Sequence, residues 1–548
     1  DKEVCSPADI ALLMDLIPEI EENLLQDSDE FSAEENSLNS QVALWAIEIL
    51  ARNFASVQSD PVLQILPRVV DIVMTRPMDT AWDANVVASA SLALASICSE
   101  LGLRTLSLFP KYFPRLLTLL EQCHTLKAVT GRDLLRVSLV TAVEHVVRGL
   151  PRFVTPHLPV LFRLLAHPQV IGSKNPYLVA KGKAVFKLLR ERIHVTALLP
   201  SLAQSLKLPE MEASGFVGLY DFFSDLCKDI RETDLRKEMD SLFELATVAI
   251  SSRELLCVSS GMDPKDIERV EKCAHSALVE LILRLNEKSF RTFIMRLVDW
   301  AHDGSCETKQ TAAFPMERIL SFYILLGKLS KKLLKTIMIP YFAFVWDHII
   351  TLLRDPSTAR LQSSRFQVPN PRASNGVNLS CTVGNQATSE HHLLCHVLRS
   401  LHGCFLFDNQ GFVDKERFHQ ILGPLCAQLE NTSGGLEAYQ QRSANILVPV
   451  LGQLAVCVAE QQELWQPLNH HILTASRNES PSVRYASLLA IRELYRKVGA
   501  EMMVHLPESI PYLAELLDDA DAEVETLARD VQQALQEISG EDLTEYFM

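Results

Sequence analysis

A short phrase recurs along this sequence. An apolar residue and a proline are followed by apolar residues two, three, five and six positions after the proline. Leu66-Pro67 leads into Val69, Val70, Ile72 and Val73, and Phe113-Pro114 into Leu116, Leu117, Leu119 and Leu120. Leu158-Pro159 leads into Leu161, Phe162, Leu164 and Leu165, and Ile510-Pro511 into Leu513, Ala514, Leu516 and Leu517. Leu199-Pro200 carries a shorter version, with Leu202, Ala203 and Leu206. The apolar spacing puts these side chains on one face of a helix. Proline is tolerated in a first helical turn, where its missing N–H is not needed, so each phrase predicts a helix opening at the proline.

The steps from Pro67 to Pro114, Pro159 and Pro200 are each roughly 40–47 residues, the period of paired-helix repeats. Second helices fall between the phrases: Val87, Ala90, Leu94, Ile97 and Leu101 make one stripe, and Leu135, Leu139, Ala142, Val143 and Val146 another. Near the end, Pro481-Ser482-Val483-Arg484 with Ala486 and Ala490 is answered one period later by Asp521, Val524 and Ala528, with Glu525 in the arginine's place. One pair of such helices cannot bury its own apolar face, but a stack can. Only 20 of the 548 residues are glycine, and period-two alternation is missing. The expected fold is all-α, a HEAT/armadillo-like α-solenoid.

Along the chain, residues 1–210 read as HEAT-like repeats with an acidic, mobile loop near 19–36. Residues 211–353 read as a less regular helical domain. The Ser-, Asn-, Pro- and Gly-rich stretch 354–390 reads as a disordered insertion, and 391–548 as further HEAT repeats. The net charge of −16 is unevenly placed: residues 1–51 and 501–548 each carry −12, the rest carries +8, and 104–195 alone carries +11. An acidic total therefore does not exclude a nucleic-acid-facing surface. Twelve cysteines without a CxxC pair suit a reducing compartment. Asn378-Leu379-Ser380 matches a glycosylation acceptor, a short motif that the cysteine usage argues against. The most tempting membrane stretch, Ile337–Trp346, is ten residues and contains Pro340, against the roughly 20 a span needs. The start, Asp1-Lys2-Glu3, has no signal pattern and reads as a cut from a longer chain.

Signs of catalysis are missing. No phosphate loop, dinucleotide fingerprint, HExxH or nucleophile elbow occurs, and Gly182-Lys183 follows no phosphate-loop pattern. His391, His392, Cys395 and His396 have zinc-ligand chemistry, but adjacent helical residues diverge by about 100°, so they read as ordinary helix residues. No catalytic residue, metal, cofactor or small-molecule substrate is expected. The basic run Lys174, Lys181, Lys183, Lys187, Arg190 and Arg192 has two readings. It is either a solvated helix face or a contact for RNA phosphate or an acidic partner. Lys183, Lys187 and Arg190 share a face at spacings of four and three. Sparse aromatics, Tyr177 and Phe186, argue against base-specific reading.

The later half resembles a known family. Ser289-Phe290-Arg291-Thr292-Phe293 through Asp299-Trp300-Ala301 and Arg318-Ile319-Leu320-Ser321-Phe322-Tyr323 look like the signature of a nucleolar C-terminal domain. Leu406-Phe407-Asp408, Leu464-Trp465-Gln466-Pro467-Leu468-Asn469 and Leu506-Pro507-Glu508-Ser509-Ile510-Pro511-Tyr512 through Leu516 are similar to further family segments. The family is that of the very large HEAT-repeat nucleolar protein of the small-subunit processome, in its transcription-associated subcomplex. The resemblance covers roughly residues 280–548, and Tyr546-Phe547 looks like the family's own terminus. It implies a non-enzymatic scaffold in ribosome biogenesis, acting in small-subunit pre-rRNA processing and in support of RNA polymerase I transcription. The implied partners are other processome proteins and pre-rRNA or snoRNP, in the nucleus and nucleolus, without a membrane. The competing reading is a karyopherin-like transport receptor or another HEAT adaptor.

Overall fold

The computed structural model describes residues 6–25, 31–76, 80–125, 132–208, 211–259, 262–302, 315–333, 337–356 and 382–540. Helices and short 3-10 or π turns dominate, and no strand occurs among the described residues. The chain forms two compact units, 1–252 with 259–277, and 253–258 with 278–548.

Unit one begins with α1 (Pro7–Met14), α2 (Leu16–Leu24), α3 (Ala33–Phe54), α4 (Asp60–Thr75), α5 (Ala81–Leu101), α6 (Phe109–Thr125) and α7 (Arg132–Gly149). It continues through α8 (Pro151–Val154), α9 (Leu158–Leu165), α10 (Pro168–Ile171), α11 (Pro176–Arg192), α12 (Val195–Leu206), α13 (Ala213–Asp229) and α14 (Glu232–Lys237). Two rows stack side by side. In the first, α2, α4, α6, α9 and α12 touch in turn; in the second, α3, α5, α7 and α11 do. The two helices of a pair also pack on each other, α4 on α5 and α6 on α7. This is the two-row stack that the repeat period predicts.

The second row has the closest packing, and its sequence explains why. Helix α5 is flanked by neighbours on both sides and buries Ala88, Ala90, Ser91, Ala93, Ala95 and Ser96 among its larger residues. Small side chains let helix axes approach. At Gly149, at the end of α7, an added Cβ would lie 2.9 Å from the Ser99 Cα and 3.0 Å from the Cys98 carbonyl oxygen. Ala81–Thr105 is long and apolar enough to cross a membrane by composition, but most of it is buried inside the protein. It is a core helix, and it passes the composition test that the Ile337–Trp346 stretch fails.

Unit two holds α17 (Glu287–His302), α18 (Pro315–Lys332), α19 (Trp346–Arg354), α20 (Thr382–Phe407), α21 (Lys415–Cys426), α22 (Leu436–Arg442), α23 (Val448–Cys457), α24 (Trp465–Ala475), α25 (Pro481–Val498), α26 (Leu506–Leu517) and α27 (Ala522–Ser539). The chain passes from one unit to the other within α15 (Met239–Ser259) and α16 (Pro264–Leu283). Here α18, α20, α23, α25 and α27 form the second row, and α19, α21, α24 and α26 the first.

Four details correct the sequence reading. The acidic stretch near 19–36 is mostly helix: Glu19, Glu21 and Glu22 lie on α2, and Glu34 and Glu35 open α3; residues 26–30 lie outside the described residues. Ser32 and Glu35 form a capping box, the Ser32 hydroxyl accepting from the Glu35 N–H and the Glu35 carboxylate from the Ser32 N–H. Acids in a first turn also suit the helix dipole, so the charge marks a helix start. Second, α20 already begins at Thr382, inside the stretch expected to be a disordered insertion; residues 357–381, including Asn378-Leu379-Ser380, lie outside the described residues. Third, Pro67, Pro114, Pro200 and Pro511 lie inside their helices, and of the five phrase prolines Pro159 takes the first turn. Earlier start signals win: Pro61, Pro110 and Pro507 occupy the openings of α4, α6 and α26, and the His194 ring caps α12 by accepting from the Thr196 N–H. Each internal proline gives up one helical hydrogen bond. Fourth, the stack does not end with α12, which packs on α13.

The C-terminal repeat shows how its motif works. Arg484 donates to both carboxylate oxygens of Asp519 at 2.7 and 2.8 Å and to the carbonyls of Asn478 and Glu479, tying consecutive turns together. Asp521 instead caps α27, accepting from the Glu523 and Val524 N–H groups. Glu525, in the arginine's place, pairs with Arg529 of its own helix.

Leu513 is fully buried on α26, which packs on α27. Leu513→Asp buries a charge without a partner and loses the leucine's packing, at a cost of about 4 kcal/mol or more. Thermal unfolding followed by circular dichroism should show a clearly lowered midpoint. A wild-type midpoint would contradict this packing.

Candidate nucleic-acid interface

The six basic residues lie on α11 and the turn before it, and the structure divides them. Arg190 is turned toward α13, with 16% of its side chain exposed, and pairs with Asp225 at 3.0 Å and Asp229 at 3.7 Å. Lys181 reaches Glu144 on α7 at 2.8 Å. Lys187 stands in solvent and meets Glu191 only at 3.8 Å. Lys174, Lys183 and Arg192 are exposed. The stripe Lys183, Lys187 and Arg190 is therefore not one open face. Its last member holds the α11–α13 junction, and the open cations are Lys174, Lys183, Lys187 and Arg192. Acidic residues across the junction also soften the field. Asp221 is exposed and has its carboxyl raised by desolvation and by Asp225, against a lowering by Lys228 and Lys183.

Gly182 beside Lys183 has a packing role. It is buried in mid-helix, and a Cβ there would lie 2.9 Å from the Val170 side chain of α10. The site can hold anionic oxygen through point charges. Tyr177 is exposed, with Lys181 above its ring at 5.8 Å to the centroid.

The histidine cluster on α20 is organised by a residue that sequence reading missed. Arg442 is buried and donates from Nη1 to His391 Nδ1 at 2.7 Å and to the Ser433 carbonyl at 2.9 Å; it also donates to the Asn431 carbonyl. It locks the 431–435 turn, where Gly434 and Gly435 have positive φ, onto α20. Burial, then the Arg442 charge, hold His391 down to about 4, and burial leads the same shift to about 4 in His396. A guanidinium against His391 opposes a divalent cation there. Among the described residues no group of three or more potential metal ligands converges. The Asn-Thr-Ser-Gly-Gly turn was the available sequence signal for this contact.

Comparison with known proteins adds the family context. Residues 234–413 match the BP28CT (NUC211) domain. The chain is 29% identical over 537 residues to human HEAT repeat-containing protein 1, covering 96% of this chain and 23% of that protein. It is 26% identical over 498 residues to U3 small nucleolar RNA-associated protein 10 of Candida albicans, covering 89% and 25%. The chain is a homologue of HEAT repeat-containing protein 1 and carries a BP28CT domain. It spans about a quarter of the length of these relatives. Among solved structures, Kap121p bound to RanGTP matches 98% of the chain and 58% of its own, at 13% identity and a TM-score of 0.37.

Within the BP28CT domain the recognisable residues serve packing. Arg318 lies over the Trp300 ring at 5.1 Å, and Phe290 meets Tyr341 edge-on at 4.7 Å. The Asp408 carboxylate accepts from the Gln410, Phe412 and Val413 N–H groups, shaping the turn after α20. Past the BP28CT domain the same holds. Trp465 donates to the Ala455 carbonyl at 2.9 Å, and Ser509 joins Asn469 and Tyr495 in a buried network. The motifs that carry the resemblance thus report the fold rather than a contact surface.

Two expectations follow. Changing Lys183, Lys187 and Arg192 to Glu should leave the melting midpoint nearly unchanged, because exposed charges shift stability by only about 0.5 kcal/mol. Arg190→Glu should lower it, because it sets a third carboxylate against Asp225 and Asp229. Equal midpoints for the two variants would contradict the division drawn here. The second concerns pH. His124, His302, His391 and His396 are held down to about 3, 4, 4 and 4, with burial the leading cause in each. Their unfolded values lie near 6.5, so the unfolded chain binds more protons between the two. The stabilisation is present above about pH 6.5 and is lost as pH falls toward 4. The midpoint should drop between pH 7 and pH 5; a flat or rising profile would contradict it.

Proposed function

We propose that this chain is a scaffold of ribosome biogenesis, acting in small-subunit processome assembly and small-subunit pre-rRNA processing and supporting RNA polymerase I transcription. The observation that carries the reading is homology along nearly the whole chain to a protein named as U3 small nucleolar RNA-associated, together with the BP28CT domain. A two-row helical stack fits the role, because it offers long surfaces to several partners at once. The relatives bear the names of HEAT-repeat and snoRNA-associated proteins rather than of enzyme families.

In this reading the partners are other processome proteins and pre-rRNA or its snoRNP, met in the nucleolus. The open cations Lys174, Lys183, Lys187 and Arg192 would meet phosphates, while Lys181 and Arg190 hold the helix in place. Phosphate contact suits cations beside a single exposed ring, Tyr177, since charge fixes position and base edges carry sequence.

The test is affinity purification of the tagged full-length protein from nucleolar extract. U3 RNA, pre-rRNA and processome proteins should co-purify. Recovery of a Ran-type GTPase and transport cargo without them would favour the transport-receptor reading and overturn this one.

A further inference from the structure

A second cationic surface lies in unit two, on elements that the basic run of α11 does not touch. Helices α18 and α20 cross closely at small residues. A Cβ on Gly327 would lie 3.9 Å from the Ser400 Oγ, and one on Gly403 would lie 3.7 Å from the Ser330 Cβ. Both pairings advance in the same direction, so the helices are parallel there. Each residue turns about 100° around a helix axis. The residue after the crossing on one parallel helix and the residue before it on the other therefore point to the same side. Those residues are Lys328 and Lys331 on α18, and Arg399 and His402 on α20.

Helix α25 extends the row across α23. At Gly452 of α23, a Cβ would meet the Glu493 Cγ at 2.8 Å and the Lys497 Cγ at 3.4 Å. The glycine thus lets the Lys497 stem lie over α23, where its Nζ donates to the Gln453 Oε1 at 3.3 Å. His402 feels both ends of the row: burial first, then Lys497, then Lys331 hold it below the ordinary histidine range. His396, one turn and a half earlier, is held down first by burial and then by cations that include Arg399, Arg253 and Lys328. The acids nearby are engaged, Glu493 with Arg496 at 2.8 Å and Glu317 with Arg253 at 2.5 Å. Lys331, Arg399 and Lys497 are exposed, and no ion pair joins any of them to a described carboxylate.

We propose that Lys331, Arg399 and Lys497 form a binding surface for the phosphate backbone of single-stranded RNA, laid across the second-row helices α18, α20, α23 and α25. The ligand is a phosphodiester chain because the surface offers separated point charges and no exposed aromatic ring on which a base could stack. Neighbouring helices sit about 8–10 Å apart, so the cations reach phosphates that are not adjacent. A polyanion carries charge at every residue and needs no pocket to satisfy them. An acidic protein segment would draw further on apolar anchors. The proposal rests on the ribosome-assembly reading only for which RNA is met, not for whether the surface binds.

The test uses the full chain and two probes, a mixed-sequence single-stranded RNA and poly-glutamate, titrated at several salt concentrations. In the variant Lys331→Glu, Arg399→Glu, Lys497→Glu, RNA affinity should fall at least about tenfold. The slope of log affinity against log salt should flatten by about two, from roughly 0.7 per lost phosphate contact on a single strand. Replacement of the same three by Gln should give a smaller loss of the same kind and guards against misfolding of the Glu variant. The Lys183, Lys187 and Arg192 variant, run in parallel, should add to the loss, since it changes a separate unit. Unchanged RNA affinity and slope in either folded variant would overturn the proposal. So would a wild-type chain without RNA binding, or loss of poly-glutamate binding with RNA binding intact. Co-purification with processome proteins could survive each of these, so the two readings fail separately.

Discussion

Side-by-side burial of parallel second-row helices is the constraint on which the rest of the structure depends. A helix in that row has a neighbour on each flank, so it must be apolar or small on both. Helix α5 meets this with alanines and serines set among Val86, Val87, Leu94 and Ile97. Glycines stand where neighbouring helices meet, with no room for a side chain at Gly149 between α7 and α5 and at Gly452 between α23 and α25, and in ordinary contact at Gly327 and Gly403 between α18 and α20. No pair is a stable unit alone, since its apolar flank is covered only by the next pair. The ends of the rows show the same rule. The α3 flank opposite its buried face exposes Leu38, Val42, Trp45 and Ile49, a stripe like those buried elsewhere between stacked helices. The outward face of α27 carries Glu525, Arg529 and Asp530 and is polar.

Because flanks are spent on stacking, charge is left to the edges of the helices, and its placement decides what the array can meet. Some charges are used internally. Arg190 with Asp225, Arg484 with Asp519 and Arg163 with Glu121 each join one repeat to the next. Those left over are segregated by sign, acids toward both ends of the sequence and open cations on α11 and along α18, α20 and α25. The acidic total therefore says little about any one surface. Acidic stretches of such a chain repel polyanions and its cationic edges attract them, each within about one Debye length.

The fold was legible because the stacking rule writes itself into sequence at a fixed period, and the phrase Leu-Pro with its apolar face needs no tertiary knowledge. Helix starts were less legible. Pro67 and Pro61 are equally good first-turn residues, and only burial of Val62 and Ile65 shows that the earlier one wins. Acids near 19–36 read as a loop when two of them, Glu34 and Glu35, open a helix. The candidate site was legible in composition and not in geometry. The sequence places Lys183, Lys187 and Arg190 on one face, but whether an arginine is open depends on Asp225 and Asp229, which belong to a later helix, α13. The α18–α20–α25 surface was invisible for the same reason, since its cations come from three helices far apart in the chain.

The central claim is that a stacked helical scaffold meets RNA through its leftover cations, and ultraviolet crosslinking of the full-length protein in nucleolar extract, mapped by peptide mass spectrometry, tests it most directly. RNA-linked peptides should come from Pro176–Arg192 and from the facing edges of Pro315–Lys332, Thr382–Phe407 and Pro481–Val498. Crosslinks confined to the first-row helices, or RNA recovered only through partner proteins with no crosslinked peptide from this chain, would contradict the account.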